Sequence, residues 1–144
     1  QSVRLYLDNI LARWQLLRPL LKTRIEFTDC PDISAIFHPT IAQSILNLLN
    51  NAADASEQVD INISWNTDTA MINIRDFGAG LDAEKVGTLG QPFVTHKADG
   101  LGLGLFLSQA TLTRFGGSVI LQNAAEGGTL TQISLLLLSA AEAS

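Results

Sequence analysis

The most constraining feature of the sequence is the stretch from Asp76 to Leu105, which has glycines at both ends and turn-forming residues between them. A strand-like run, 71–75, ends abruptly at Asp76, and Gly78 and Gly80 follow one residue apart. Glycine lets a backbone approach a ligand closely. Three more glycines open an apolar helix whose unpaired N–H groups suit phosphate, and these are Gly100, Gly102 and Gly104. The pattern predicts a nucleotide pocket with a carboxylate at one end and a mobile lid.

Composition limits the class of protein. The chain has 144 residues, 47% of them hydrophobic, with both helical and strand periodicities, which is typical of one globular domain. A formal net charge of −5 argues against nucleic acid as a direct partner. The single cysteine, Cys30, excludes an internal disulfide bond and a cysteine-based zinc site. No apolar run reaches the roughly 20 residues of a membrane-spanning helix.

Helical and strand periodicities predict the secondary structure. Helices are predicted over residues 3–18, 40–56 and 101–115. Pro19 closes the first, Thr40 could cap or begin the second, and Gly116-Gly117 stops the third. Strands are predicted over residues 24–27, 33–37, 59–65, 71–75, 119–122 and 131–138. Because the strands follow no βαβ repeat, we expect a mixed sheet covered on one face by helices.

A second chemical feature lies on the helix predicted over residues 40–56. Projected at about 100° per residue, Asn47, Asn51 and Asp54 fall in a narrow polar stripe, which Gln43 and Ser44 extend. Asparagine is a mediocre helix former, and its side-chain oxygen is a suitable Mg²⁺ ligand. The stripe is therefore either an ordinary solvated face or a metal-binding face. The residues alone leave both interpretations open.

Five short motifs stand in order along the chain: NLLNNAADAS, DFGAG, GQPFVTHK, GLGLGL and GGT. They resemble the N, G1, F, G2 and G3 boxes of the sensor histidine kinase catalytic domain, whose nucleotide-binding fold is shared with the gyrase, chaperone and mismatch-repair ATPases. The resemblance covers about residues 24–138. It implies an α+β fold, a two-layer α/β sandwich with a mixed, mostly antiparallel sheet of about five strands, about three helices on one face, and a flexible ATP lid.

The resemblance implies roles for residues of the polar stripe and the lid. Asn51 resembles the Mg²⁺ ligand of the family, and Asn47 resembles the asparagine near the phosphates or the waters of the metal. Lys97 is expected to contact the phosphates, and Asn47 and Lys97 are the expected catalytic residues. The other residues expected to line this part of the nucleotide site are Asp54, Phe93, Thr95, Gly100, Leu101, Gly102, Leu103 and Gly104.

The same resemblance implies an adenine site at the end of the strand over residues 71–75. Asp76 resembles the adenine anchor, whose carboxylate accepts a hydrogen bond from the exocyclic amine. An ionised carboxylate only accepts hydrogen bonds, so it would reject the carbonyl that guanine carries at this position. Gly78 and Gly80 would give the base and ribose room, and Thr129 would help to hold Asp76 and a bridging water. The expected cofactors are ATP and Mg²⁺.

The two histidines, His38 and His96, stand where the family does not place its phosphoacceptor. The chain also starts at Gln1 without an initiator methionine or a signal peptide, so we expect a piece of a longer protein. The resemblance places the acceptor on upstream helices. We expect residues 1–22 to be a helical connector from that region, residues 23–139 the ATP-binding catalytic domain, and residues 140–144 a flexible tail.

The resemblance implies a protein-histidine kinase domain that transfers the γ-phosphoryl group of Mg-ATP to a histidine on dimerisation helices of its own full-length chain. A response regulator receiver domain is the expected next partner. A homodimeric parent, anchored in the membrane with a cytoplasmic catalytic domain, is also expected. Hydrolytic relatives carry a glutamate where this chain has Asn47, an amide that cannot take a proton. An ATPase, an anti-sigma-type serine kinase and a nucleotide-binding interaction module without catalysis remain alternatives.

Overall fold

The computed structural model describes residues 1–78 and 103–139. In chain order they form α1 (Val3–Leu17), β1 (Lys22–Phe27), α2 (Pro39–Ala55), β2 (Gln58–Trp65), β3 (Thr69–Asp76), α3 (Leu103–Arg114), β4 (Ser118–Asn123) and β5 (Thr129–Leu136). The strands make one sheet in the order β1-β2-β3-β5-β4. Within this sheet β1 and β2 are parallel, and the other three pairs are antiparallel. The mixed, mostly antiparallel sheet expected from the sequence is confirmed.

The strands alternate between a buried and a more exposed face, because successive side chains of a strand point to opposite sides of a sheet. In β2 and β3 every second residue is buried. These residues share one hydrophobic core with the three helices, which contribute Trp14 of α1, Leu49 of α2 and Leu112 of α3, among others. The chain is therefore a two-layer α/β sandwich, as expected.

Helix α1 packs its apolar side onto this core. Ser2 caps the helix, since its hydroxyl accepts the N–H of Leu5 at 3.3 Å. The buried side chains recur at helical spacing and are Val3, Leu7, Ile10, Leu11 and Trp14. Leu17, which continues the sequence pattern, is 62% exposed. Residues 1–22, expected as a connector, thus contribute a helix to the core that residues 23–139 also build.

Helix α2 begins at Pro39, and its cap is His38 rather than Thr40. The Nδ1 atom of His38 accepts the N–H of Thr40 at 3.3 Å. Pro39 occupies the first helical position, where its missing N–H costs nothing. The ring of His38 also stacks on Phe115, just after α3, with ring centroids 4.1 Å apart. His38 is therefore engaged in holding the start of α2.

The strand expected over residues 33–37 does not form. The N–H of Ala35 donates to the carbonyl of Gln1 at 2.9 Å. The N–H of the next residue, Ile36, instead donates to the carbonyl of Leu138 at 2.8 Å. Because neighbouring residues bond to two different segments, the chain makes isolated bridges there and no ladder. This segment ties the start of α1 to the chain that follows β5.

The other predicted elements are confirmed, with shifted ends. The turn between β2 and β3 is closed by Asn66, whose Oδ1 accepts the N–H groups of Asp68 at 2.8 Å and Thr69 at 2.9 Å. Strand β5 ends at Leu136, two residues before the predicted end. Across residues 1–78 and 103–139, we find no helix with both the length and the apolar character needed to cross a membrane.

The role of α1 in the core can be tested on two neighbouring residues. Trp14 is 0% exposed and Leu16 is 82% exposed. We expect Trp14→Ala to lower the free energy of unfolding by about 3–5 kcal/mol, because it leaves a cavity in the core. Urea denaturation followed by circular dichroism measures this loss. Leu16→Ala is the control and should change stability by less than about 0.5 kcal/mol. Equal losses in the two variants would contradict the packing of α1.

Candidate functional site

The end of β3 carries a buried carboxylate. Asp76, the last residue of the strand, is 4% exposed. Its Oδ1 atom accepts the N–H of Gly78 at 3.0 Å and the N–H of Thr129 at 3.2 Å. Its Oδ2 atom accepts no hydrogen bond from any residue that the structure describes. A carboxylate oxygen accepts more than one hydrogen bond, so Asp76 keeps acceptor capacity for a ligand that donates one.

Two close backbone approaches shape the surroundings of Asp76. A Cβ atom on Gly78 would collide with the carbonyl oxygen of Ala55, the last residue of α2. A Cβ atom on Gly128 would collide with the carbonyl oxygen of Asp76. Gly128 also has a φ of 80°, in the left-handed region that favours glycine. Glycine at 78 brings the turn after β3 against α2, and glycine at 128 brings Thr129 within reach of Asp76.

Ser56, the last residue of the NLLNNAADAS motif, joins the end of α2 to the same turn, a role that the motif does not predict. Its hydroxyl oxygen accepts the N–H of Phe77 at 3.0 Å and the N–H of Gln58 at 3.2 Å. It also donates to the carbonyl of Gln58 at 2.7 Å. A serine between a helix and the following strand is a recognisable signal for such a side-chain cap. Ala55 and Ser56 together hold the backbone on either side of the Asp76 turn.

Asn47, on α2, is held from two sides. The Nε2 of Gln43 donates to its Oδ1 at 2.9 Å. Its own Nδ2 donates to the hydroxyl of Ser108, on α3, at 3.4 Å. Ser108 is 2% exposed. A partly buried hydrogen bond thus connects α2 to α3, and Ser108 lies outside the motifs.

The rest of the polar stripe on α2 is used in different ways. Asn51 is half-buried, and its side chain makes no hydrogen bond to a residue within the described ranges. Asp54 lies 2.6 Å from Arg18, between Oδ1 and Nη2, with 68% of its side chain exposed. Ser44 is 5% exposed and donates to the carbonyl of Thr40 at 3.1 Å. Asn51 is therefore the half-buried stripe residue whose side-chain oxygen has no partner among the described residues.

Several expected site residues lie outside the described residues, and these are Gly80, Phe93, Thr95, Lys97, Gly100, Leu101 and Gly102; His96 lies there too. Leu103 and Gly104 lie in the first turn of α3. The described residues form two groups. Asp76, Gly78 and Thr129 meet around one carboxylate, while Asn47 and Asn51 lie one turn apart on α2.

A groove of about 570 Å³ lies beside the end of α2. It is lined by Lys22, Ala53, Asp54, Ala55, Ser56, Glu57, Gln58 and Phe77. None of the residues around the Asp76 carboxylate lines it, and neither does Asn47 or Asn51. The groove therefore adjoins the candidate site without forming it.

The contact between Gly128 and Asp76 can be tested against a neighbouring glycine. Gly127 has a φ of 102°, but a Cβ atom there would meet nothing within 4 Å. Gly127→Ala should therefore cost only backbone strain, about 1–2 kcal/mol. Gly128→Ala adds a collision with Asp76, so we expect it to cost about 1–3 kcal/mol more. Urea denaturation of both variants measures the difference in the free energy of unfolding. Equal losses in the two variants would mean that Gly128 does not lie in close contact with the backbone of Asp76.

Comparison with known proteins places the chain in a family. The model of the histidine kinase-, DNA gyrase B-, and HSP90-like ATPase family matches residues 38–139. The sensor histidine kinase RegB of Cereibacter sphaeroides is 33% identical over 100 residues, covering 61% of this chain and 22% of RegB. Sporulation kinase B of Bacillus subtilis is 29% identical over 99 residues, covering 66% of this chain and 23% of the kinase. The chain thus spans less than a quarter of these relatives.

Solved structures of kinase domains have the same fold. A mycobacterial sensor histidine kinase, MprB, superposes with a TM-score of 0.70 at 22% identity, over 96% of this chain and 97% of that one. The catalytic domain of the histidine kinase ThkA superposes with a TM-score of 0.71 at 18% identity, over 92% of this chain and 94% of that one. The chain belongs to the histidine kinase-, DNA gyrase B-, and HSP90-like ATPase family and has the fold of a histidine kinase catalytic domain.

Proposed function

We propose that this chain is the ATP-binding catalytic domain of a sensor histidine kinase, which uses Mg-ATP to phosphorylate a histidine on helices of its own parent protein. Membership in an ATPase family implies that it binds ATP. The observation that carries the proposal is the carboxylate of Asp76, which is 4% exposed and fixed through Oδ1 by two backbone N–H groups. Its Oδ2 has no partner among the described residues and is available to a ligand.

Asp76 would select adenine. Its free acceptor capacity suits the exocyclic amine of adenine and opposes the carbonyl that guanine carries at the same position. At Gly78 the space of the missing side chain is filled by the carbonyl of Ala55, so this glycine would hold the turn in place, and Gly80 is expected to leave room for the base and ribose. Thr129 holds Asp76 through its N–H at 3.2 Å, so it would keep the carboxylate oriented when a base binds.

Asn51 would hold Mg²⁺. Its half-buried carboxamide oxygen is a neutral, hard donor that has no described partner, which fits an ion that takes few protein ligands besides phosphate oxygens and water. When bound, the ion neutralises charge on the phosphate oxygens. The lid residues remain part of this proposal by resemblance, with Lys97 as the phosphate contact and with Phe93, Thr95, Gly100, Leu101, Gly102, Leu103 and Gly104 around it.

Asn47 favours transfer to histidine over hydrolysis. Its carboxamide is held by Gln43 and Ser108, and an amide cannot take a proton from water. ATP should therefore persist until an imidazole nitrogen is positioned to attack. That nitrogen would bond to the γ-phosphorus while the bond from the γ-phosphorus to the bridging oxygen of ADP breaks. Positioning and charge neutralisation carry most of the catalysis in such transfers.

The partners follow from this reaction. The histidine would lie on the dimerisation helices of a homodimeric parent, and an aspartate of a response regulator receiver domain would then take the phosphoryl group. Both RegB and sporulation kinase B carry names of kinases, which supports this assignment. We further propose that the domain works in the cytoplasm as part of a membrane-anchored parent, without direct contact to nucleic acid.

The adenine assignment can be tested by Asp76→Asn. Losing a charge-assisted hydrogen bond in a buried pocket should weaken ATP binding by about 1.5–3 kcal/mol. That loss corresponds to a dissociation constant roughly 10 to 100 times higher. Calorimetric titration with ATP and GTP measures it. Asp68→Asn makes the same chemical change at an exposed turn residue and should leave the affinity unchanged. Wild-type affinity of Asp76→Asn for ATP would remove Asp76 from the pocket.

The metal assignment can be tested by Asn51→Ala. In the wild type, Mg²⁺ should strengthen ATP binding, and in the variant this effect should be lost while binding without Mg²⁺ remains. Asn9→Ala, at an exposed position of α1, is the matched control. A variant that kept the full Mg²⁺ effect would exclude Asn51 as the ligand.

The choice between a kinase and an ATPase can be tested in the same samples, which should release almost no inorganic phosphate over time. Steady release would assign the domain to the ATPases.

A further inference from the structure

Arg18, at the end of α1, contacts the C-terminal half of α2. Its Nη2 lies 2.6 Å from the Oδ1 of Asp54. Its Nε donates to the Oδ1 of Asn50 at 3.3 Å. Asn50 and Asp54 are four residues apart and therefore neighbours on one side of the helix. One planar guanidinium thus spans the last full turn of α2.

The backbone of Arg18 is fixed independently of this contact. Its N–H donates to the carbonyl of Trp14 at 3.0 Å and to that of Gln15 at 3.3 Å, which caps the end of α1. Its carbonyl accepts the N–H of Leu21 at 3.1 Å. The side chain is 32% exposed. An exposed ion pair usually stabilises little, because two mobile side chains lose entropy. Here the guanidinium also donates to Asn50, so two contacts offset the entropy lost by one side chain.

The end of α2 needs a positive charge from elsewhere. The helix has no basic residue in its last turn, whereas Asp54 is there. A helix C-terminus carries a partial negative charge, so a carboxylate in this turn is unfavourable alone. Arg18 supplies the cation from a different element. The contact therefore stabilises the last turn of α2 in its helical form.

Asn51 lies within the turn that Arg18 spans, next to Asn50 and three residues before Asp54. On a helix at about 100° per residue, Asp54 is only about 60° around the axis from Asn51. We infer that Arg18 is a positioning residue that holds Asn51 in the orientation needed for Mg²⁺, and that Asp54 takes part in the site through Arg18. This inference rests on the proposed function, because it requires the metal to bind at Asn51.

The test measures how strongly Mg²⁺ and ATP binding are coupled. Calorimetry gives the dissociation constant of ATP without and with Mg²⁺, and the ratio of the two is the coupling. In Arg18→Ala the coupling should fall about five- to tenfold, because the metal ligand is less well held. Binding of ATP without Mg²⁺ should stay within about twofold of wild type, since Arg18 does not contact Asp76 or its N–H donors.

Three further variants separate the role of Arg18 from a loss of charge. Arg13→Ala removes the same charge from an exposed α1 residue that makes no hydrogen bond or ion pair with a described residue, and it should keep wild-type coupling. Arg18→Glu should lose at least as much coupling as Arg18→Ala, because it places two carboxylates together. Adding Asp54→Arg to Arg18→Glu restores an ion pair with reversed charges and should recover part of the coupling.

Hydrogen exchange in the nucleotide-free protein gives a readout that needs no metal. Amides of residues 51–55 should exchange faster in Arg18→Ala than in Arg13→Ala. The inference is overturned if Arg18→Ala keeps wild-type coupling and exchange, or if it loses ATP affinity equally with and without Mg²⁺, as a purely structural residue would. If Mg²⁺ does not strengthen ATP binding in the wild type, the proposed metal site fails instead of the inference about Arg18. Unchanged hydrogen exchange in Arg18→Ala would then also show that the contact of Arg18 with Asp54 does not stabilise α2.

Discussion

The buried carboxylate of Asp76 is the group on which the surrounding structure depends. Burying a carboxylate is costly unless hydrogen bonds replace its water, and here two backbone N–H groups bond to Oδ1. One of them comes from Thr129, 53 residues later in the chain. Gly128, just before this donor, lies against the backbone of Asp76, and Gly78, the other donor, lies against the end of α2, so a side chain at either position would collide with its neighbour. The turn before β5, the turn after β3 and the end of α2 thus meet around one buried group.

Helix α2 carries Asn47 and Asn51, and its end at Ala55 lies against Gly78 beside the Asp76 carboxylate, so its position has to be fixed at several points. Its start is capped by His38, and its middle is joined to α3 through Asn47 and Ser108. Its end is held on one side by Arg18 and on the other by Ser56, which reaches the backbone after Asp76. None of these contacts lies in the hydrophobic core. The core sets the general position of the helix, since packing is non-directional, and the polar contacts set the orientation of the side chains along it.

The sequence predicts the elements whose signals are local. Residues 59–65 and 71–75 alternate with period two around the turn at Asn66, and the structure pairs them as predicted. The prediction of a strand over residues 33–37 was wrong because the backbone partners of this segment are far away in the sequence, at residues 1 and 138. No local pattern indicates those partners. The contacts of Arg18 with Asp54 and of Ser108 with Asn47 also join residues far apart in the sequence, separated by 36 and 61 positions. The motifs predict the residues that are proposed to face a ligand, whereas the residues that hold them are set by tertiary structure.

Family membership and fold do not separate a kinase from an ATPase, because one scaffold supports several reactions. In the function proposed for this chain, the difference lies at position 47. The neighbours of Asn47 would also suit a carboxylate there, since the amide of Gln43 donates a hydrogen bond and the hydroxyl of Ser108 can donate one. The surroundings therefore accept either side chain, and only a carboxylate could take a proton from water. In the proposed function, the amide keeps the acceptor in place but removes the base, so bound ATP would persist until a neutral imidazole nitrogen, which needs no base to remove a proton, is positioned to attack.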